Sequence, residues 1–422
     1  MLYYGQGAPA KAFGRDEIKK ALFDTFDRLG ARKKVLVIPP DFTRFHSRAG
    51  ELSQYAYEYY GARLTDILPA LGTHFKLTDV EIEKMFPGVP ASLFREHKWR
   101  DDVVTVGVVP GDFVKEVSEG TVDYPIPIQL NRLLLDGGFD LILSVGQVVP
   151  HEVIGMANHN KNIFVGVGGS ECINKSHFLG ATYGLERIMG RAITPVRKVL
   201  NYASEHFTAK LPIVYLQTVI SEGEDGLQMR GLFIGDDFEC FEKAAKLSLE
   251  TNFRMMDREM KKVVVYLDPE EFRTTWLGNK SIYRTRMAIA DDGELIVLAP
   301  GLHQFGEDPV IDQLIRKYGY VDTPKVLQYV NENVDLQNNL GVAAHLIQGS
   351  SEGRFKITYC PGHITREAIE SVGFAYADLS EMMRKYNPAS LKDGWNLVDG
   401  EEIYYISNPA LGLWAFHERF KG

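Results

Sequence analysis

Three side chains able to do chemistry near neutral pH share one short stretch of this chain. His151 is followed ten residues later by Lys161 and sixteen further on by His177, and the turn Gly166-Val167-Gly168-Gly169-Ser170 lies between the last two. Imidazole titrates near neutrality and suits acid–base work or metal ligation. A lysine amine becomes a nucleophile once its pKa is lowered. A glycine turn that opens a helix can bring backbone N–H groups close to an anion, which makes Gly166, Gly168 and Gly169 candidate cofactor contacts. Each feature also has a plain structural reading. Loop histidines commonly face solvent, and Lys161 stands between Asn160 and Asn162 as an ordinary exposed lysine would. Gly-x-Gly-Gly lacks the Lys-Ser/Thr of a P-loop and the full dinucleotide fingerprint.

Two other apolar runs end in polar groups. VLVIPPDFTR delivers Asp41, Thr43 and Arg44, and a second run delivers Gly72, Thr73 and His74. Open α/β sheets bind ligands at the carboxyl ends of their strands, so these positions are chemically placed. Arg44 offers a planar fork for a carboxylate or phosphate, and Asp41 could orient it or bind a hydroxyl; a local Asp–Arg turn cap is the equal alternative. The sequence contains no HExxH or CxxC motif, which disfavours a hydrolytic zinc site, and no cysteine stands in a recognisable nucleophile motif, which leaves covalent acyl transfer little support. Cys172, Cys240 and Cys360 are scattered and odd in number, as expected of reduced thiols in the cytoplasm.

The elements that must position these residues follow from hydrophobic periodicity. Buried strands are expected over 35–39, 64–71, 141–149 and 163–167, and helices over 50–60, 78–85 and 128–135. A long helix over 238–258 precedes a fresh strand at 261–269; strands at 282–290 and 293–299 and helices within 309–346 follow. Such alternation predicts an α/β fold with two α/β domains, 1–260 and 261–422. Their parallel or mixed sheets would be covered by helices, with the active site expected in the interdomain cleft.

Composition narrows the partners. With 422 residues, 45% hydrophobic, the chain can bury ordinary cores. A formal net charge of −9 without an evident basic face argues against nucleic acid. No apolar run approaches membrane-spanning length and the amino terminus lacks a secretory pattern, so a cytoplasmic protein is expected. Homo-oligomerisation is left open.

Taken together, Asp41-Phe42-Thr43-Arg44, Gly72-Thr73-His74, and Pro150-His151 with Lys161 and His177 resemble the nickel-dependent lactate racemase family, across most of the chain. The resemblance implies a racemase or epimerase of 2-hydroxy acids, an isomerase. It implies that Lys161 tethers a nickel-pincer nucleotide, whose two sulfur-bearing arms and ring carbon hold nickel, and that His177 is the fourth ligand. It also implies that His74 and His151 alternate as acid and base, with Arg44 on the substrate carboxylate and Asp41 nearby. Two bases suit stereoinversion, because each epimer presents its hydroxyl differently.

The chain departs from the family in two places. Between His151 and Lys161 the usual glycines are largely replaced by Met156-Ala157-Asn158-His159-Asn160. Farther on, where lactate racemases carry Tyr-Gln followed by lysine, this chain has Tyr283-Arg284-Thr285-Arg286-Met287. Tyr283, Arg284 and Arg286 are therefore expected at the substrate's far end, joined by His303 after the strand ELIVLAPGL. An arginine pair suits a larger, polyhydroxylated acid, and D-gluconate/D-mannonate 2-epimerisation is the expected reaction. A racemase of lactate or another short hydroxy acid is the alternative. A nicotinamide or zinc enzyme on the same acids, and a non-enzymatic organic-acid-binding protein, are the readings from other classes.

Overall fold

The computed structural model describes residues 1–223 and 226–420. Contacts divide the chain into two compact units, Met1–Leu179 with Met189–Asn252, and Gly180–Ile188 with Phe253–Gly422. Each unit is a mixed α/β sheet with helices.

In the first unit, β1 (Leu2–Gly7), β2 (Val35–Ile38), β3 (Leu64–Ile67), β4 (Leu141–Gln147), β5 (Ile213–Gly223) and β6 (Gly226–Gly235) form one sheet, in the order β1-β6-β5-β4-β2-β3. The four strands β5, β4, β2 and β3 run parallel, while β6 runs antiparallel to β5 on one side and to β1 on the other. Every residue of β2 and β4 is buried, as a parallel strand covered on both faces requires. Helix α1 (Arg15–Leu29) buries Ile18, Ala21, Leu22, Thr25 and Phe26, one stripe at helical spacing. That stripe joins Leu52 and Ala56 of α2 (Ala49–Tyr60) and Val37, Leu143 and Leu216 of the sheet in one core.

The second unit holds β7 (Met260–Tyr266), β8 (Ile289–Ala299), β9 (Lys356–Pro361), β10 (Ala375–Tyr376), β11 (Gly394–Val398) and β12 (Glu401–Ile406), ordered β10-β9-β8-β7-β12-β11. All neighbours are parallel except the edge pair β11 and β12. Val264, Ile296, Leu298 and Tyr405 form the centre of a separate core.

Four expected elements differ. Residues 163–167 are not a strand; Asn162–Gly166 form a single π-helical turn, closed by the Val167 N–H on the Asn162 carbonyl at 2.9 Å. A short apolar run buried on all sides reads the same in either conformation. Residues 128–135, expected as a helix, begin as the strand Ile126–Asn131, whose inward Ile126, Ile128 and Leu130 alternate; Asn131 then caps the short helix Arg132–Asp136. The helix Phe238–Asn252 stops before 258, because Phe253–Met256 pairs as a strand with Leu413–Phe416. Residues 282–290 open with the helical turn Lys280–Tyr283 and become strand only at Ile289.

Candidate active site

The carboxyl ends of β2 and β3 stay paired beyond the regular strands, since the Ala70 N–H reaches the Pro39 carbonyl at 2.7 Å and Pro40 bridges Ala70. This register carries Asp41 and His74 to meeting distance. His74 Nδ1 hydrogen-bonds Asp41 Oδ2, while Asp41 Oδ1 accepts from the Thr43 N–H at 2.9 Å and the Thr43 hydroxyl at 2.6 Å. Burial would raise the Asp41 carboxyl, but the charge and hydrogen bond of His74, the Thr43 hydroxyl and Arg44 hold it down at about 2. Asp41 is thus an ionised acceptor that fixes the His74 ring through Nδ1, and the neutral form of that ring has its lone pair at Nε2.

Lys161 enters from the π-helical turn. The Gly72 N–H donates to the Gly166 carbonyl at 2.8 Å, which ties the Gly-Thr-His turn to the segment that begins at Lys161. Gly72 has φ 56°, open to glycine, and a Cβ on Gly166 would lie 2.6 Å from that of Ala70. Burial, then the Arg44 charge, pulls the Lys161 amine down to about 8; Glu152 and Asp41 oppose the effect and Arg197 adds to it. His177 lies on the helix Ser170–Tyr183 and donates from Nδ1 to the Ile173 carbonyl one turn back, at 2.6 Å. Burial, then the charge of Lys161, pulls His177 down to about 4. Its neutral ring therefore presents Nε2 as a donor to metal.

Asp41, Arg44, His74, Glu152, Lys161 and His177 thus form one electrostatically linked group within the first unit. Arg44 brings a buried Nη1 that has no hydrogen-bond partner among the described residues, an open donor for an anion. His151 lies beyond the carboxyl end of the neighbouring strand β4, in the hairpin Pro150–His151 with Gly155–Met156. The glycine turn is less open: the amides of Ser170 and Glu171 go to the Trp99 carbonyl and Gln129 Oε1, and the Gly168 carbonyl takes His97 Nε2. Gly169 lies against Gln129, which a Cβ would meet at 2.4 Å.

Residues 14–186 match the profile of the lactate racemase N-terminal domain. Along 97% of its length, the chain also superposes on a crystal structure of a protein from Thermotoga maritima, covering all of that chain at 26% identity and TM-score 0.85. It shares its fold with the lactate racemase apoprotein from Thermoanaerobacterium thermosaccharolyticum, at 16% identity and TM-score 0.69, over 97% of this chain and 94% of that one. A search of curated proteins found no match.

The second unit holds the remaining candidates. Tyr283 is buried, and the wholly buried Arg284 donates to the Gly412 carbonyl at 3.2 Å. Arg286 pairs with Glu186 at 2.8 Å and donates to the Ser350 carbonyl at 3.1 Å. His303 is exposed and bonds the Gly301 carbonyl of its own turn at 3.0 Å.

Two site residues carried no motif in the sequence. Glu152 follows His151 directly, an adjacency that could have drawn notice. Arg197 lies far along the chain, yet its guanidinium collects the Met156 carbonyl at 2.7 Å, the Asn158 carbonyl at 3.3 Å and Asn160 Oδ1. That one side chain shapes the segment in which the family's glycines are replaced, where Asn158 and His159 both take left-handed φ.

Proposed function

We propose that this protein inverts C2 of a 2-hydroxy acid, with D-gluconate and D-mannonate as the epimer pair, using a nickel-pincer nucleotide. The reading is supported by the Asp41–His74 hydrogen bond beyond the carboxyl ends of β2 and β3, and by the charge influence that links Lys161 to Asp41 and Arg44 and His177 to Lys161 and His74. The donor set suits the cofactor. Among the described residues no group of three or more His, Cys, Asp and Glu could hold a metal, so nickel would take most of its ligands from something other than protein. Lys161 supplies an enclosed amine for a covalent tether, and His177 Nε2 supplies one imidazole donor, which nickel accepts. When bound, such a nucleotide supplies reversible acceptance of the C2 hydride.

The chain's own residues do the rest. Arg44 takes the substrate carboxylate on its open Nη1. His74, oriented by the ionised Asp41, receives the C2 hydroxyl proton at Nε2, and His151 is the second histidine assigned to that oxygen. Arg284 and Arg286 are engaged inside the second unit, so the preference for an aldonate rests on the sequence change at Arg284 and Met287. A screen of lactate and other short hydroxy acids against aldonates separates the two substrate readings.

Epimerisation in heavy water tests the chemistry: C2 of the product should carry no solvent deuterium. Extensive deuteration would sink hydride transfer and favour an enolising base. Protein made in a host that assembles the nucleotide should show a mass adduct on the peptide holding Lys161, absent from Lys161→Ala.

A further inference from the structure

We infer that Glu152 is the positioning carboxylate of His151, the counterpart of Asp41 beside His74, and that the two histidines carry their resting protons on opposite ring nitrogens. The inference rests on the assignment of both histidines to the substrate hydroxyl. On His74, Nδ1 faces a carboxylate, which only accepts, so Nδ1 carries the proton. On His151 the order is reversed. The backbone N–H of Val153 donates to Nδ1 at 3.1 Å, so the neutral ring holds its proton on Nε2. The Glu152 carboxylate lies 3.7 Å from the same Nδ1, just beyond hydrogen-bond reach.

This arrangement sets what His151 can do. To deliver a proton from Nε2 and end as a neutral ring, it must first be an imidazolium with a second proton on Nδ1. An amide N–H cannot donate to a protonated nitrogen, so charging the ring requires the Val153 contact to give way to an acceptor. Glu152 is the acceptor in place. His151 pairs with Gly155 across a tight hairpin whose turn contains both Glu152 and Val153, so a small adjustment of that turn exchanges one partner for the other. The side chains of His151 and Glu152 are only 7% and 14% exposed, and an enclosed carboxylate beside an enclosed imidazolium is the Asp41–His74 arrangement in an open form. Glu152 also bears on Lys161 and His177, which puts its charge within the site. The protons balance: solvent first charges His151 at Nδ1, one proton leaves the substrate hydroxyl for His74 Nε2, one passes from His151 Nε2 to the oxygen as hydride returns to C2, and His74 releases its added proton to solvent. Glu152 then holds the proton on Nδ1 until solvent exchange resets the ring.

Ring 15N–1H correlation spectra of 15N-histidine-labelled protein without cofactor test the resting state, with H151Q assigning the resonance. His151 should appear as the Nε2–H tautomer and His74 as Nδ1–H; a resting Nδ1–H on His151 would overturn the proposal. In the loaded enzyme, Glu152→Gln should lower kcat by about 10²-fold with KM little changed, and Glu152→Asp should recover part of the loss. Wild-type turnover in the glutamine variant, or an equal loss in both, would also overturn it. Solvent deuterium at C2 would instead remove hydride transfer and leave the tautomers as they are.

Discussion

At the scale of single residues, the chemistry depends on which atom each side chain leaves available. Asp41 commits one oxygen to Thr43 and the other to His74, so an amide there would offer the ring a donor as readily as an acceptor. Asp41→Asn should lower kcat by about 10²-fold or more while the fold persists, measured as turnover beside circular dichroism. The same carboxyl makes a pH prediction. Its folded pKa, about 2, lies below its ordinary 3.8, so it stabilises the folded state above 3.8 and that contribution is lost as pH falls towards 2. Denaturant titrations across that window should show wild type losing more stability than Asp41→Asn. His177 separates tether from metal: His177→Ala should keep the mass adduct on Lys161 but lose nickel, read by metal analysis of the same sample.

At the scale of elements, the site depends on turns that tolerate almost no change. A Cβ on Gly168 would sit 1.8 Å from the Phe164 carbonyl, inside the π-helical turn that follows Lys161. Arg197 holds the preceding segment from α3 (Pro195–Phe207), which brings a planar fork to three acceptors and stacks 4.1 Å from the Phe241 ring. Replacement by methionine strands buried carbonyls, which costs about 1–3 kcal/mol each. Arg197→Met should therefore lower the denaturation midpoint strongly. Arg197→Lys should recover little, because a point-like ammonium cannot reproduce the fork. Equilibrium unfolding of both variants checks this.

At the scale of the whole molecule, two units with separate cores should not unfold as one. Calorimetry is expected to give a total enthalpy above the van 't Hoff value, or two resolved transitions; a single two-state transition would contradict this. The α/β class was legible in the alternation of apolar runs and helical patterns, and the candidate residues in their spacing, because side-chain type and period are local properties. Elements failed where local signals were ambiguous: 163–167 is apolar throughout, and only its packing made it a π-helical turn rather than a strand. Likewise, residues 128–131 alternate weakly within a helix-like composition, and pairing with Val103–Val109 made them a strand. The sequence by itself determined the reactive groups, the His151–Lys161–His177 intervals and the match of residues 14–186 to the lactate racemase N-terminal domain. Only the tertiary structure decided that Asp41 grips His74, that Val153 reaches His151 ahead of Glu152, and that Arg197 shapes the segment before Lys161. Those facts depend on hydrogen-bond distances between residues that strand register and a turn bring together, and no local pattern in the chain encodes such distances.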